Sequence, residues 1–188
     1  KPSNMLISED GQIKLSDFGL ARYYEKPAKE MTGREQPGEL LFCERFVIDW
    51  AYVARGYKPP ELLYGSKLYG PSIDIWSTAC IIVEMYLKKP IFYADNDIGQ
   101  LSKIFSIRGS PNEENWPEVN DLPSYLPFEH SDKVPFTKVL SDHFINRTLT
   151  NLLQIGIPDI SAEGADLLDK MLDINPNRRI TAEKVHHP

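Results

Sequence analysis

The stretch KLSDFGLAR, residues 14–22, sets an acid, Asp17, after Leu15 and Ser16, and follows it with Phe18 and then Gly19. A carboxylate at the end of a short apolar run is costly to bury unless a cation or a metal meets it. A glycine two residues later predicts a backbone turn that other residues resist. The preceding segment reads as a hairpin: Met5 to Ile7, a Glu-Asp-Gly turn, then Ile13 to Leu15. KPSN, residues 1–4, leads into the first arm and SDFG, residues 16–19, leaves the second. Pairing of the arms therefore brings Lys1, Asn4 and Asp17 to one end of the hairpin.

Asparagine offers a carbonyl oxygen and aspartate a carboxylate. Such ligands suit Mg²⁺, which takes a few protein oxygens together with phosphates and water. Lys1 adds a positive charge nearby. A lysine beside metal-held phosphates forms the electrostatic clamp that phosphoryl transfer needs, because charge spreads over the equatorial oxygens in the transition state. A D-F-G tripeptide alone, or K-P-x-N alone, is weak and reads equally as a turn after a strand. Across one hairpin the two together are much stronger.

Composition sets the frame. The 188 residues are 41% apolar and 26% charged, a globular balance; a chain of this size buries about 70% of its unfolded surface. Against 27 acidic residues stand 21 Lys and Arg, a net charge of −6, which argues against a sequence-independent nucleic-acid binder. Cys43 and Cys80 make neither a disulfide framework nor a metal pair, and a reducing compartment fits best. Asn146-Arg147-Thr148 matches a glycosylation triplet, for which chance is the better reading in a chain with no visible signal peptide. The longest apolar stretch, residues 73–87, contains Asp74 and Glu84 and is too short to span a bilayer. The chain starts at KPSN without Met and stops at KVHHP, inside what reads as a helix; it is expected to be a piece of a larger protein.

Beyond the hairpin the pattern is helical. Residues 23–52 read as one long irregular segment, of the kind usually functional or disordered. SIDIWSTACIIVEMYLK, from Ser72, predicts a central helix buried on nearly every side, with Ser72 as its cap. DIGQLSKIFSIRG predicts an amphipathic helix closed by Gly109. Residues 110–136 carry five prolines and connect. FTKVLSDHFINRTLTNLL has a helical apolar face at 140, 144, 145, 149, 152 and 153. SAEGADLLDKMLDINP predicts a helix capped by Ser161 and ended before Pro176, and TAEKVHH begins a last one capped by Thr181. Trp76 and Trp116 read as core.

Read together, these motifs resemble the eukaryotic protein kinases, from the end of the catalytic loop to the last helix of the large lobe. KPSN is similar to the loop's end and DFG to the opening of an activation segment spanning about 17–61. PPELL (59–63) stands where the family writes A-P-E, DIWS (74–77) matches the start of the central helix, and NPNRR (175–179) sits where the late arginine belongs. The expected fold is mainly α with a small β-hairpin: the C-terminal lobe of a kinase domain over residues 1–188, without the N-terminal lobe. DFGLAR, PELLYG, DIGQL, GSPNEENWPEV and HHP resemble the cyclin-dependent kinases, and YKPPELLYG is also similar to fungal kinases that activate them. KP after the catalytic acid resembles serine/threonine specificity.

The resemblance implies roles. Asp17 and Asn4 would each hold a Mg²⁺ on ATP, and Lys1 would steady the γ-phosphate. Glu61 and Arg179 would pair and pin the end of the activation segment, and Asp74 would accept hydrogen bonds from the catalytic-loop backbone. It also exposes departures. The catalytic aspartate would stand two residues before Lys1, so the 188 residues alone are expected to be inactive; general-base chemistry is worth about 10²–10⁴-fold. Ala54 stands where serine/threonine kinases carry a threonine, Gly56 where they carry a tryptophan, and Lys58 where proline-directed members carry an arginine. Preference for proline after the target residue is therefore open, and a pseudokinase or scaffold is the rival reading. Asp49 falls where many members carry an activating phosphothreonine, with Arg22 as a partner for its charge. The implied partners are protein substrates and a cyclin or cyclin-dependent kinase, with no nucleic acid and no membrane. The implied location is intracellular, nucleus or cytoplasm.

Overall fold

The structure, a computed structural model, describes residues 1–19, 21, 55–140 and 160–186. Arg22, Cys43, Asp49 and Ala54 lie outside the described residues, as does the helix expected over 136–153 beyond its first turn at 136–140. The hairpin forms where the two short arms and the turn residues predict it. β1 (Met5–Ile7) and β2 (Ile13–Leu15) pair antiparallel with Met5 opposite Leu15 and Ile7 opposite Ile13. Gly11 takes the left-handed turn position at φ +80, which glycine alone adopts without a Cβ penalty.

Helices build the rest: α1 (Pro60–Leu63), α2 (Ser72–Leu87), α3 (Asp97–Arg108), α4 (Ala162–Met171) and α5 (Ala182–His186). α2 is the centre, as its nearly continuous apolar run requires. Trp76, Ala79, Cys80, Val83 and Leu87 are buried, and Ile75, Ile81, Ile82 and Tyr86 pack partly buried against the same core. Ser72 does not cap α2. It is the first helical residue, Pro71 stands at the cap, and no side chain caps the end; proline's fixed φ suits a helix entrance, and the Ser72 carbonyl is engaged by Arg179. α3 is capped by Asn96, whose side chain accepts from the Gly99 amide at 2.7 Å, and closes at Gly109. α4 is capped by Ser161, accepting from Gly164 at 3.1 Å.

Two aromatic groups lock the core. The Trp76 ring stacks on Phe92 with centroids 5.5 Å apart, and Tyr64 lies among Phe105, Trp116 and Tyr125. Both expected tryptophans are buried. The hairpin contrasts with this core: Leu6, Ile7, Ile13 and Leu15 are all exposed.

Candidate active site

The hairpin sets Asn4 and Asp17 side by side. A 3₁₀ turn, Pro2–Asn4, brings the chain in, with the Asn4 amide donating to the Lys1 carbonyl at 3.0 Å. Across the arms the Ser16 amide and hydroxyl both donate to the Asn4 carbonyl, at 2.9 and 3.2 Å. That double contact fixes the Asn4 backbone one residue from Asp17. The Asn4 Nδ2 then donates to Asp17 Oδ2 at 3.4 Å.

Two expectations about this stretch change. The left-handed backbone falls on Asp17 itself, at φ 65, and not on Gly19. Aspartate is among the few non-glycine residues that tolerate this region, so the turn is made at the acid and aims its carboxylate directly. A side chain at Gly19 would meet Asp17 Oδ1 at 3.5 Å, an ordinary contact. Asp17 is also exposed, beside exposed Leu15 and Phe18; its place is set by the turn rather than by the cost of burial.

Lys1 is half-buried. Asp74, at the start of α2, has its carboxyl pushed up by burial.

A third group pins the chain end of the long segment. Glu61, in α1, accepts from Arg179 at 2.8 and 3.0 Å, a bidentate pair, with both side chains almost fully buried. Arg179 further donates to the carbonyls of Ser72 at 2.9 Å and Asp173 at 3.1 Å, and its guanidinium lies 5.1 Å over the Trp76 ring. One side chain thus ties α1, α2 and the segment after α4.

Sequence reasoning missed a second set of contacts. Tyr57 Oη donates to Glu84 Oε2 at 2.6 Å, and Ser77 Oγ to the Tyr57 carbonyl at 2.9 Å. Arg55 Nε pairs with Asp97 at 3.1 Å, its guanidinium also reaches the Asp95 carbonyl, and Gln100 Nε2 donates to the Arg55 carbonyl at 3.0 Å. Arg108, buried at the end of α3, bonds the Asp169 side chain and the Asp169 and Leu172 carbonyls, with Lys133 on the same carboxylate at 3.3 Å. A signal was available: Gln100 and Arg108 are the polar members of the stripe 100, 101, 104, 105, 108, which otherwise reads as the apolar face of α3.

As a donor set, Asn4 and Asp17 fit Mg²⁺: two oxygen-bearing side chains at an exposed site, leaving room for phosphate and water ligands. Among the described residues no group of three or more His, Cys, Asp or Glu side chains could hold a metal ion. No described helix is long and apolar enough to cross a membrane.

Comparison with known proteins agrees with the motifs. The chain is 39% identical over 189 residues to cyclin-dependent kinase 7 of Dictyostelium discoideum, covering 100% of this chain and 43% of that protein. It is 37% identical over 190 residues to cyclin-dependent kinase 12 of Caenorhabditis elegans, covering 100% of this chain and 22% of that protein, and 38% identical over 183 residues to its Drosophila melanogaster namesake, covering 97% and 13%. The chain thus spans less than half the length of these relatives. The protein kinase domain family matches residues 1–188, the whole chain, and the protein belongs to it.

Proposed function

We propose that residues 1–188 are the C-terminal lobe of a serine/threonine protein kinase domain, similar to the cyclin-dependent kinases, that transfers the ATP γ-phosphate to protein hydroxyls. The observation that carries this reading is the side-by-side placement of Asn4 and Asp17 at one end of the hairpin. There they would hold Mg²⁺, which when bound offsets phosphate charge and orients ATP. Lys1, one turn before Asn4, would steady the transferred group. Asp74 would orient the backbone that enters this turn, and the buried Glu61–Arg179 pair would hold the end of the activation segment. Asp74, Glu61 and Arg179 would hold the site without touching substrate.

Asp49 would replace part of an activating phosphate's ordering of the segment, with Arg22 as partner; a carboxylate brings one charge where a phosphate brings about −1.5 to −2. The enzyme would then work without phosphorylation of its activation segment. A cyclin or a cyclin-dependent kinase is the proposed partner, and the proposed location is the nucleus or cytoplasm. Gly56, where the family carries a tryptophan, favours the rival scaffold reading; it is buried, and an added Cβ would meet Pro90 at an ordinary 3.6 Å.

Phosphate transfer from radiolabelled ATP tests the reading on three proteins: the full-length kinase, its Asp17→Asn variant, and residues 1–188 alone. Transfer by the first and loss in the other two is expected. Transfer undiminished in Asp17→Asn, or strong transfer by the 188 residues alone, overturns it.

A further inference from the structure

We infer that Gln100 is a positioning residue for the protein substrate, acting through the run Arg55–Lys58; this rests on the function proposed above. Gln100 is fully buried within the apolar stripe of α3. A buried amide is costly unless its groups are paired. Its Nε2 donates to the Arg55 carbonyl at 3.0 Å, while its Oε1 has no hydrogen-bond partner among the described residues. An apolar side chain of similar size would fill the same space without an unpaired oxygen. What the glutamine adds is one directed grip on the Arg55 backbone.

The rest of the run is held from other sides. Asp97 pairs with the Arg55 guanidinium, Ser77 donates to the Tyr57 carbonyl, the Tyr57 hydroxyl reaches Glu84, and the Lys58 amide closes a turn on the Arg55 carbonyl at 2.9 Å. Gln100 and Asp97 sit three residues apart on the first turn of α3, so one helix end fixes both the backbone and the side chain of Arg55. Within this run lie Gly56 and Lys58, which the resemblance places among the residues that set preference for the substrate residue after the target hydroxyl. Slackening Arg55 would then weaken peptide binding and leave nucleotide binding alone.

The test is steady-state kinetics on the full-length kinase. The probe is the best-phosphorylated member of a serine/threonine peptide library, with thermal unfolding as a fold control. Gln100→Leu is expected to raise the peptide KM about fivefold, the loss of one hydrogen bond, with the ATP KM within twofold. Asp97→Asn, at a partly exposed pair, is expected to raise the peptide KM about twofold. If Gln100→Leu fails to fold, Asp97→Asn decides alone. An unchanged peptide KM, or ATP and peptide KM rising together, overturns the inference while leaving the kinase reading intact. Absence of transfer by the unmodified enzyme overturns both.

Discussion

Removing Glu61 leaves one of the most buried charges in the described structure without its partner. Glu61 and Arg179 are 3% and 4% exposed, joined by bonds of 2.8 and 3.0 Å. In Glu61→Ala the guanidinium keeps the Ser72 and Asp173 carbonyls and the Trp76 face, but neither carbonyl carries a full opposing charge. Stranding one member of a buried pair costs about 3–5 kcal/mol. For a chain of this length each kcal/mol moves the melting temperature by about 2–4 °C, so Glu61→Ala is expected to melt about 6–20 °C lower. Arg179→Leu is expected to be worse, because it also abandons the two carbonyls. The double variant Glu61→Leu/Arg179→Leu is expected to lose less than the sum of the singles, since no unpaired charge remains. Thermal unfolding followed by circular dichroism on all three variants reads the cycle. A Glu61→Ala loss below about 1 kcal/mol, or singles that simply add, refutes the claim that this pair ties α1 to the body of the lobe.

Three further outcomes follow from the same contacts. Gly109→Ala is expected to cost about 1–3 kcal/mol, because Gly109 has φ +80 and its added Cβ would sit 3.0 Å from the Lys133 amide nitrogen and 3.1 Å from the Ser131 carbonyl; Gly56→Ala, with an ordinary 3.6 Å contact to Pro90, is the control, and denaturant midpoints distinguish them. Burial, with the Glu84 contact second, pushes the Tyr57 hydroxyl well above its ordinary range, and burial does the same for Tyr64; the unfolded chain releases these protons near pH 10 while the fold keeps them, so stability is retained below pH 10 and falls above it, as urea midpoints between pH 9 and 11.5 would show. Asp49→Ala in the full-length kinase is expected to lower peptide phosphorylation about tenfold, and unchanged activity in that assay counts against a carboxylate standing in for phosphate.

The hairpin was legible because its signals are local. A Glu-Asp-Gly turn between two short apolar arms marks the hairpin, and its register brings Asn4 to Asp17. The central helix was legible from its apolar run, which no surface helix would carry. The Glu61–Arg179 contact was within reach only through resemblance, since 118 residues separate its members. What escaped depends on neighbours that the local sequence does not name. Ser72 has the chemistry of a cap, yet Pro71 enters the helix first and Arg179 claims the Ser72 carbonyl. Gly19 has the freedom to turn, yet Asp17 makes the turn. Gln100 and Arg108 are polar residues whose partners, Arg55 and Asp169, lie on other elements. Arg22, Asp49 and Ala54 lie outside the described residues, so their roles rest on the motif pattern alone.

Calorimetric titration of ATP into the full-length kinase, with Mg²⁺ and then with a chelator, addresses the shared Asn4–Asp17 site most directly. Mg²⁺ is expected to tighten ATP binding at least about tenfold, and Asn4→Ala/Asp17→Asn to remove that gain without lowering the melting temperature. Equal affinity with metal and with chelator, or a metal gain that survives the double substitution, would contradict it.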